Sequence, residues 1–307
     1  MQKKVTTFAA SRRINEKRMI KKRYYIFIFL YLITQLLLNS CRWGKHTNNT
    51  LVLSDSDTLT NKIENKLSST QKSVEDNHFN DFSTVGLPII SDTISSKILY
   101  RKAYVTSYNY DTHIPNWVIW HLTAEHIDGP IKRLKNAFHE DLDVYEPRVN
   151  SRDYYKSGWT RGHMCPCGDN KWDSVAMYES FLYTNICPQS ARNNTGLWNS
   201  IEISCRNWAK KNGDIYIVTG PILFHGQHET IGENHVVVPE AFFKVILCIN
   251  GTPKGIGFIC RNTDSGRKDN YVNSISQVER ITGYTFFPNL SDTAIIKAKE
   301  YANIDQW

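Results

Sequence analysis

The order of apolar and polar positions after residue 86 predicts strands separated by turns, together with a few helices. Aromatic and apolar residues alternate in 116–123, which is typical of a strand in a packed sheet. The same pattern predicts further strands, at 98–100, 104–109, 216–220, 241–247 and 255–260. Helices are predicted at 172–179, 194–211 and 276–282. No internal repeat is found, so the sequence predicts one α+β domain over residues 86–307, with a central antiparallel sheet flanked by helices.

The first 40 residues have the pattern of an export signal. The basic residues 21–23 precede an apolar run over 24–38, which has the length of a signal-peptide core and is short for a membrane-spanning helix. Met19 lies just upstream and is an alternative start. The run ends in Leu-Asn-Ser followed by Cys41, which resembles a bacterial lipoprotein signal with a lipidated cysteine. The alternative is an ordinary signal peptide or an uncleaved anchor, with Cys41 incidental.

Residues 41–85 are dominated by Ser, Thr, Asn, Asp and Lys, and their apolar residues follow no period. Such a segment buries little, so we expect a polar, disordered tether that begins at the lipidated Cys41. The predicted organisation is an export signal over 1–40, the tether over 41–85 and the domain over 86–307. The protein is then expected to be a membrane-anchored lipoprotein that faces the periplasm or the cell exterior.

The formal net charge of +7 comes from the leader. Residues 1–40 hold nine of the 37 Lys and Arg but one of the 30 acids, so residues 41–307 keep 28 basic and 29 acidic side chains. Within this nearly neutral body, 148–171 and 192–211 each carry a local net charge of +3. This clustering favours a phosphate-bearing partner that is bound locally.

Besides Cys41 the chain has six cysteines, an even number that makes disulfides plausible in an exported protein. Cys248 and Cys260 flank a glycine-rich turn, so a bridge across that hairpin is one option. Cys165 and Cys167 form a Cys-x-Cys pair, which is tighter than the pairs usual in zinc sites, so a disulfide or free thiols are favoured over zinc there. The other two are Cys187 and Cys205.

The predicted helix 194–211 places polar groups of related chemistry along one side. Asn194, Trp198, Glu202 and Arg206 follow an i, i+4, i+8, i+12 row, in which each step drifts by only ~40°. An amide oxygen near a carboxylate suits a hard cation that keeps most of its waters, which describes Mg²⁺ better than Zn²⁺. An amphipathic surface helix with an ordinary Glu–Arg pair would have the same pattern.

A second segment carries complementary chemistry. Arg161-Gly162-His163 places a guanidinium and an imidazole around a glycine that lets the backbone approach a ligand closely. Arginine can bind a phosphate through two N–H groups, and histidine can take a proton from water near neutral pH. Either segment alone also fits a structural role, but a structural role explains the two together less well.

These two segments resemble the DNA/RNA non-specific endonuclease family, which includes secreted bacterial nucleases and mitochondrial endonuclease G. The matching residues are Arg161, Gly162, His163, Pro166, Asn185, Pro188, Gln189, Asn194, Trp198, Glu202 and Arg206. A looser similarity extends from about residue 104 to residue 258 and leaves out the leader and the tether. The resemblance implies a ββα-metal (His-Me finger) catalytic core.

The resemblance also implies roles for the matching residues. His163 is expected to be the general base that deprotonates the attacking water. Asn194 is expected to be the one direct protein ligand of Mg²⁺, for which Mn²⁺ is a substitute, and Glu202 is expected to hold metal-bound water.

Three further matches concern the phosphate. Arg161 and Arg206 are expected to stabilise the charge that develops on the scissile phosphate, and Asn185 is expected to help orient the site. The resemblance implies products with 5′-phosphate ends.

Two features depart from the family pattern. The family commonly has Asp before Arg-Gly-His, whereas this chain has Thr160, whose hydroxyl can hydrogen-bond but carries no charge. The family also has a further phosphate-binding arginine upstream, and Arg133, Lys135 and Arg148 all compete for that role. The sequence does not decide among these three.

The functional hypothesis is a Mg²⁺-dependent, sugar-nonspecific endonuclease whose substrates are DNA and RNA. One rival is a catalytically weak lipoprotein that binds nucleic acid or a surface partner on a nuclease fold. Another is a hydrolase of a different phosphodiester, such as a small cyclic or lipid one. The oligomeric state stays open, with a homodimer as one option.

Overall fold

The computed structural model describes residues 82–307 except 134, 136 and 225. In chain order, the strands of this part are β1 (Lys97–Tyr100), β2 (Val105–Asn109), β3 (Ile114–Leu122), β4 (Thr160–His163), β5 (Ile186–Gln189), β6 (Ile215–Ile222), β7 (Thr230–Ile231), β8 (Val236–Val237), β9 (Ala241–Cys248), β10 (Lys254–Arg261) and β11 (Val272–Asn273). A central sheet has the order β1-β2-β3-β6-β9-β10-β11, and every neighbouring pair in it is antiparallel.

The α-helices of the described residues are α1 (Ala124–Ile127), α2 (Ser151–Tyr154), α3 (Ser174–Glu179), α4 (Asn199–Asn212), α5 (Ile275–Thr282) and α6 (Thr293–Glu300). A π-helical segment, Asn193–Trp198, leads directly into α4. Polar side chains accept backbone N–H groups at the starts of four helices, because these N–H groups have no partner inside the helix. The capping residues are Asn150, Asp173, Ser274 and Asp292.

The central sheet separates two apolar clusters, as strand β9 shows. Phe242 and Ile246 belong to the cluster that also contains residues of α4 and β5. Phe243 and Val245 belong to the other cluster, together with residues of α5 and α6. Successive side chains of a strand point to opposite faces, so Lys244 lies on the face of the first cluster.

A separate pair of strands, β4 and β5, lies on that face and is joined to α4. The two strands are antiparallel, and Gly162 lies where a Cβ atom would be 2.0 Å from Oε1 of Gln189, so only glycine fits there. The buried Asn193 donates Nδ2 to the carbonyls of Arg261 and Asp264, each at 3.2 Å. These bonds fix the start of the helical segment relative to the central sheet. Two strands followed by a helix form the ββα unit.

The predicted fold class is confirmed: the domain is α+β, with a central antiparallel sheet, flanking helices and a ββα-metal core. Each of the six predicted strands overlaps a strand of the central sheet. Phe82 and Val85, which the sequence analysis places in the tether, are buried in the second cluster. The export signal, Cys41 and the tether up to residue 81 lie outside the described residues. Within the described residues, no helix has the length and apolarity needed to cross a membrane.

The six cysteines of the domain are free and buried in the structure. The hairpin bridge considered for Cys248 and Cys260 is wrong because of the strand register. Cys248 lies opposite Lys254, whereas Cys260 lies opposite Phe242 at the other end of the same hairpin. The two thiols therefore do not face each other.

Candidate active site

A cleft of about 500 Å³ opens beside the ββα unit. It is lined by Arg133, Arg161, His163, Pro166, Cys167, Gly168, Lys171, Met177, Asn194, Thr195, Asn199, Glu202 and Arg206. The cleft thus brings together two segments that are far apart in sequence. One contains β4, and the other contains the start of α4. The four basic side chains of the lining outnumber its one carboxylate, so the cleft attracts anions.

His163 is buried at the end of β4. Its ring packs against Phe138 and Phe181, whose ring centroids lie 5.2 and 5.1 Å away. Burial, and after it the charges of Arg133 and Arg161, lowers the pKa of His163 from 6.5 to about 3. The imidazole is therefore neutral near pH 7 and can accept a proton. Its Nε2 is buried and has no hydrogen-bond partner within the described part of the chain.

Asn194 is held in one orientation by Thr160. The amide Nδ2 of Asn194 donates to Oγ1 of Thr160 at 2.9 Å, and that hydroxyl donates to the carbonyl of Gln189 at 2.6 Å. No residue that the structure describes donates to Oδ1 of Asn194, which is free to bind a cation on the cleft wall. The threonine that departs from the family pattern therefore contacts the predicted metal ligand rather than the arginine side chain next to it.

Glu202 lies on α4 and is half-buried in the cleft wall. Burial raises the pKa of Glu202 to about 7, and the positive charge of Lys244 opposes the shift. The carboxyl group is therefore poorly solvated in the free protein. A bound cation would favour its ionised form.

A buried set of charges lies beneath Glu202. Asp169 accepts hydrogen bonds from Arg206 at 2.9 Å and from the indole N–H of Trp120 at 3.1 Å. Lys244 is 0 % exposed, and its ammonium group lies 4.9 Å from the ring centroid of Trp120 and 4.5 Å from that of Trp198. Asp169 thereby orients the guanidinium of Arg206 toward the cleft.

Of the three upstream basic residues, Arg133 alone is among those that line the cleft in the described part of the chain. Arg133 lines the cleft, where NH1 donates to Sγ of Cys167 at 2.9 Å and the guanidinium lies 5.3 Å from the ring centroid of Phe181. Arg148 instead donates to the carbonyl of Val144, and neither it nor Lys135 lines the cleft. Arg133 is therefore the residue placed to contact a phosphate bound beside His163.

Asn185, by contrast, lies behind the cleft wall. Its Nδ2 donates to the carbonyls of Cys165 and Ser180, each at 2.8 Å, and its Oδ1 accepts from the amide of Cys165 at 2.9 Å. It fixes the chain just after His163 and does not line the cleft. Trp198, the other member of the predicted helical row, is buried in the core against Phe242.

The oxygen donors on the cleft wall fit a hard cation. Oδ1 of Asn194 would bind such a cation directly, and the carboxylate of Glu202 would hold water bound to it, because an ion such as Mg²⁺ keeps several of its waters. The zinc alternative at Cys165 and Cys167 has no support. Among the residues of the described part, no group of three or more His, Cys, Asp or Glu is placed to hold a metal ion.

Sequence reasoning assigned no role in the site to Asp169 or Lys244, which stabilise the charges of Arg206 and Glu202 respectively. For Lys244 a signal exists, because it is a charged residue in the middle of the apolar run 241–248. Lysines in such positions are rarely fully buried without a partner. Asp169 follows the Cys-x-Cys segment and has no comparable signal.

Comparisons with known proteins agree with this geometry. The sequence profile of the DNA/RNA non-specific endonuclease family matches residues 83–293. The mitochondrial nuclease EXOG of Homo sapiens is 33% identical over 213 residues, which cover 63% of this chain and 58% of that protein. Nuclease C1 of Cunninghamella echinulata var. echinulata is 35% identical over 210 residues, covering 62% of this chain and 83% of that protein. The chain thus matches less than two thirds of the length of the EXOG relatives.

Among solved structures, this chain superposes on one from a complex of EndoG with EndoGI with a TM-score of 0.64. That complex is described as showing the mechanism of EndoG inhibition. The two sequences are 26% identical, and the match covers 69% of this chain and 92% of the other. Bovine endonuclease G is 28% identical over 225 residues, covering 68% of this chain and 74% of that protein. The profile match, the shared fold and the ββα unit agree with one another. The chain belongs to the DNA/RNA non-specific endonuclease family.

Proposed function

We propose that the protein is a Mg²⁺-dependent nuclease that hydrolyses the phosphodiester bonds of DNA and RNA. One observation carries the proposal: a single basic cleft brings together the neutral imidazole of His163, the free amide oxygen of Asn194 and the carboxylate of Glu202. A protein that only binds nucleic acid has no need for these three groups in one place.

His163 would act as the general base. A phosphate bound between Arg133 and Arg161 would offset the positive charges that lower the pKa of the imidazole, and so raise its basicity when substrate is present. The ring would then take a proton from the water that attacks phosphorus. Phe138 and Phe181 hold the ring in place and exclude bulk water from one side of it.

Two guanidinium groups would bind the phosphate and stabilise the charge that grows on it. Arg161 lines the cleft with its guanidinium 4.6 Å from the ring centroid of Phe138, and Arg206 is oriented by Asp169. When bound, Mg²⁺ supplies Lewis-acid stabilisation of the leaving oxygen. Asn194 would bind the ion, and Glu202 would hold its water. Because the leaving oxygen is the 3′-oxygen, the phosphate stays on the 5′ end of the other product.

Little sequence preference is expected. The groups that line the cleft suit phosphate and metal, and contacts to phosphate position a nucleic acid without reading its bases. Such binding weakens steeply with added salt, because phosphate contacts release counterions.

The test is hydrolysis by the purified protein of supercoiled plasmid and of total RNA, with Mg²⁺ and with EDTA. We expect both substrates to be degraded with Mg²⁺ and to stay intact with EDTA. The DNA products should be joined by DNA ligase without prior phosphorylation, because they carry 5′-phosphates. A small cyclic dinucleotide offered as the sole substrate tests the rival phosphodiester. If it is hydrolysed while plasmid and RNA stay intact across several divalent ions, the nuclease proposal is wrong.

We also propose that the chain is exported and anchored by a lipid on Cys41. The support is the basic, apolar and Leu-Asn-Ser-Cys pattern over 21–41. The test is metabolic labelling with a radioactive fatty acid in a bacterial host. Label in the wild-type protein that is absent from Cys41→Ser supports the anchor, and equal labelling of both excludes it.

A further inference from the structure

A second cleft, of about 560 Å³, lies next to the first, and Arg161 lines both. It is formed by α2, the loop that follows it and the start of β4. Thr160, which holds Asn194 in place, is also part of its wall. The second cleft is therefore a direct continuation of the site that would hold the scissile phosphate.

The chemistry of this cleft is basic and aromatic. Arg152, Lys156 and Arg161 are exposed, and no residue of its lining is acidic. Tyr155 is 71% exposed. Its ring is apolar surface in contact with water, which a partner could cover favourably. The ammonium of Lys156 lies 5.2 Å from the centroid of that ring, so a positive charge and an aromatic face occur together.

A third observation concerns the wall of this cleft. Tyr154 lines it and is buried, and its hydroxyl has no hydrogen-bond partner within the described residues. The hydroxyl oxygen is itself buried and the ring stacks on Tyr183 at 5.6 Å, so Tyr154 gives the cleft an uncharged, apolar wall. Burial raises the pKa of Tyr154 well above its ordinary value, so the group is a neutral hydroxyl.

We propose that this second cleft binds a nucleotide of the substrate strand that flanks the scissile phosphate, with its base unpaired and stacked on Tyr155. Arg152 and Lys156 contact the adjoining phosphate. Stacking on an exposed ring requires a base that has left its duplex, and it is indifferent to base identity. Single-stranded segments are therefore the preferred substrate class. This inference rests on the proposed function of the neighbouring cleft.

The first experiment compares substrates that do and do not reach the second cleft. One is a single-stranded 12-nucleotide DNA, and the other is a minimal diester that carries no nucleoside, methyl p-nitrophenyl phosphate. For Tyr155→Ala we expect the ratio of kcat/KM between oligonucleotide and minimal diester to fall by about 5- to 150-fold, the range for loss of one stacked base. Lys156→Asn, which tolerates the φ of 55° at that position, should lower the same ratio through loss of charge.

Matched controls lie on or beside α6, away from both clefts. Tyr301 is 62% exposed and Lys297 is exposed, so Tyr301→Ala and Lys297→Asn make the same chemical changes elsewhere on the surface. Both controls should leave the ratio unchanged. A ratio that is equally unchanged in Tyr155→Ala and Lys156→Asn overturns the proposal.

Binding measurements separate this inference from the nuclease proposal. Fluorescence anisotropy in EDTA, with the His163→Ala background, reports affinity without hydrolysis for a labelled 12-nucleotide strand and for its duplex. We expect Tyr155→Ala to weaken single-strand binding more than duplex binding. This result would support the second cleft even if no substrate were hydrolysed. Equal weakening for both forms would mean that the cleft contacts only the backbone, and the stacking inference would be wrong.

Discussion

Replacing Glu202 with glutamine should stabilise the free protein at alkaline pH while it lowers activity. The carboxyl is half-buried in the cleft wall, and burial raises its pKa from 4.5 to about 7. The unfolded chain releases this proton above pH 4.5, whereas the folded protein keeps it up to about pH 7. Between pH 4.5 and 7 the folded protein therefore holds a proton that the unfolded chain has released. The contribution of Glu202 to the free energy of unfolding falls as the pH rises through this range.

The magnitude follows from the two pKa values. At 1.36 kcal/mol for each tenfold change in proton affinity, moving the pKa from 4.5 to about 7 corresponds to at most about 3 kcal/mol above pH 7. Glutamine has nearly the same shape and does not ionise. The free energy of unfolding of Glu202→Gln should therefore exceed that of the wild type at pH 8 by up to about 3 kcal/mol and match it near pH 4.5.

The assay is urea denaturation followed by circular dichroism, in EDTA, at half-unit steps from pH 4.5 to 8.5. Adding Mg²⁺ at pH 8 should stabilise the wild type more than the variant, because an ionised carboxylate holds metal-bound water more strongly than a neutral amide does. A difference between the two proteins that does not change with pH would refute the reasoning. So would a variant that is less stable than the wild type at pH 8.

Three further perturbations test other parts of the site. Because the lowered pKa of His163 favours the neutral ring in the folded state, the unfolding free energy of the wild type should fall by about 1.4 kcal/mol per pH unit below pH 6.5. His163→Gln should lack this contribution. Equal dependence of the unfolding free energy on acid pH in the two proteins, measured by urea denaturation, would contradict this. Thr160→Val removes the hydroxyl that accepts a hydrogen bond from the amide of Asn194, so the Mg²⁺ concentration for half-maximal activity should rise about 10-fold or more, and Thr160→Ser should restore it. An unchanged Mg²⁺ dependence would count against a role of Thr160 in orienting Asn194. Lys244→Met removes the positive charge that lowers the pKa of Glu202, so the acidic limb of the pH–rate profile should move to higher pH; a limb that stays in place would show that Lys244 acts only in packing.

The central sheet was predictable because its strands are long and apolar. The run 241–247 shows this, since it is apolar except for Lys244 and becomes β9. The helix prediction 194–211 also located α4, but the structure begins it with the π-helical segment Asn193–Trp198. Apolar periodicity over so few residues does not distinguish a π-turn from an α-turn.

The two strands of the ββα unit were harder to predict. β4 and β5 have four residues each and contain Gly162 and Pro188, which local propensity assigns to turns. Their pairing depends on a contact between segments more than 20 residues apart, and the close approach of Gly162 to Gln189 is visible only in the fold. The resemblance of the two motif segments to the family nonetheless pointed to residues that the structure brings together in one cleft.

The choice of Arg133 and the role of Thr160 also required the structure. Three upstream basic residues were equivalent in sequence, and only the packing of Arg133 against Phe181 and Cys167 places it in the cleft. Thr160 hydrogen-bonds to a residue on another element, 34 positions along the chain. Such contacts carry no local sequence signal.

The most direct test of the central claim compares the wild type with His163→Ala on plasmid and on RNA in the presence of Mg²⁺. We expect the wild type to degrade both and the variant to degrade neither, while anisotropy shows that the variant still binds a labelled strand and circular dichroism shows that it is folded. If the folded variant cleaves at the wild-type rate, His163 is not the general base, and the account of the site is wrong.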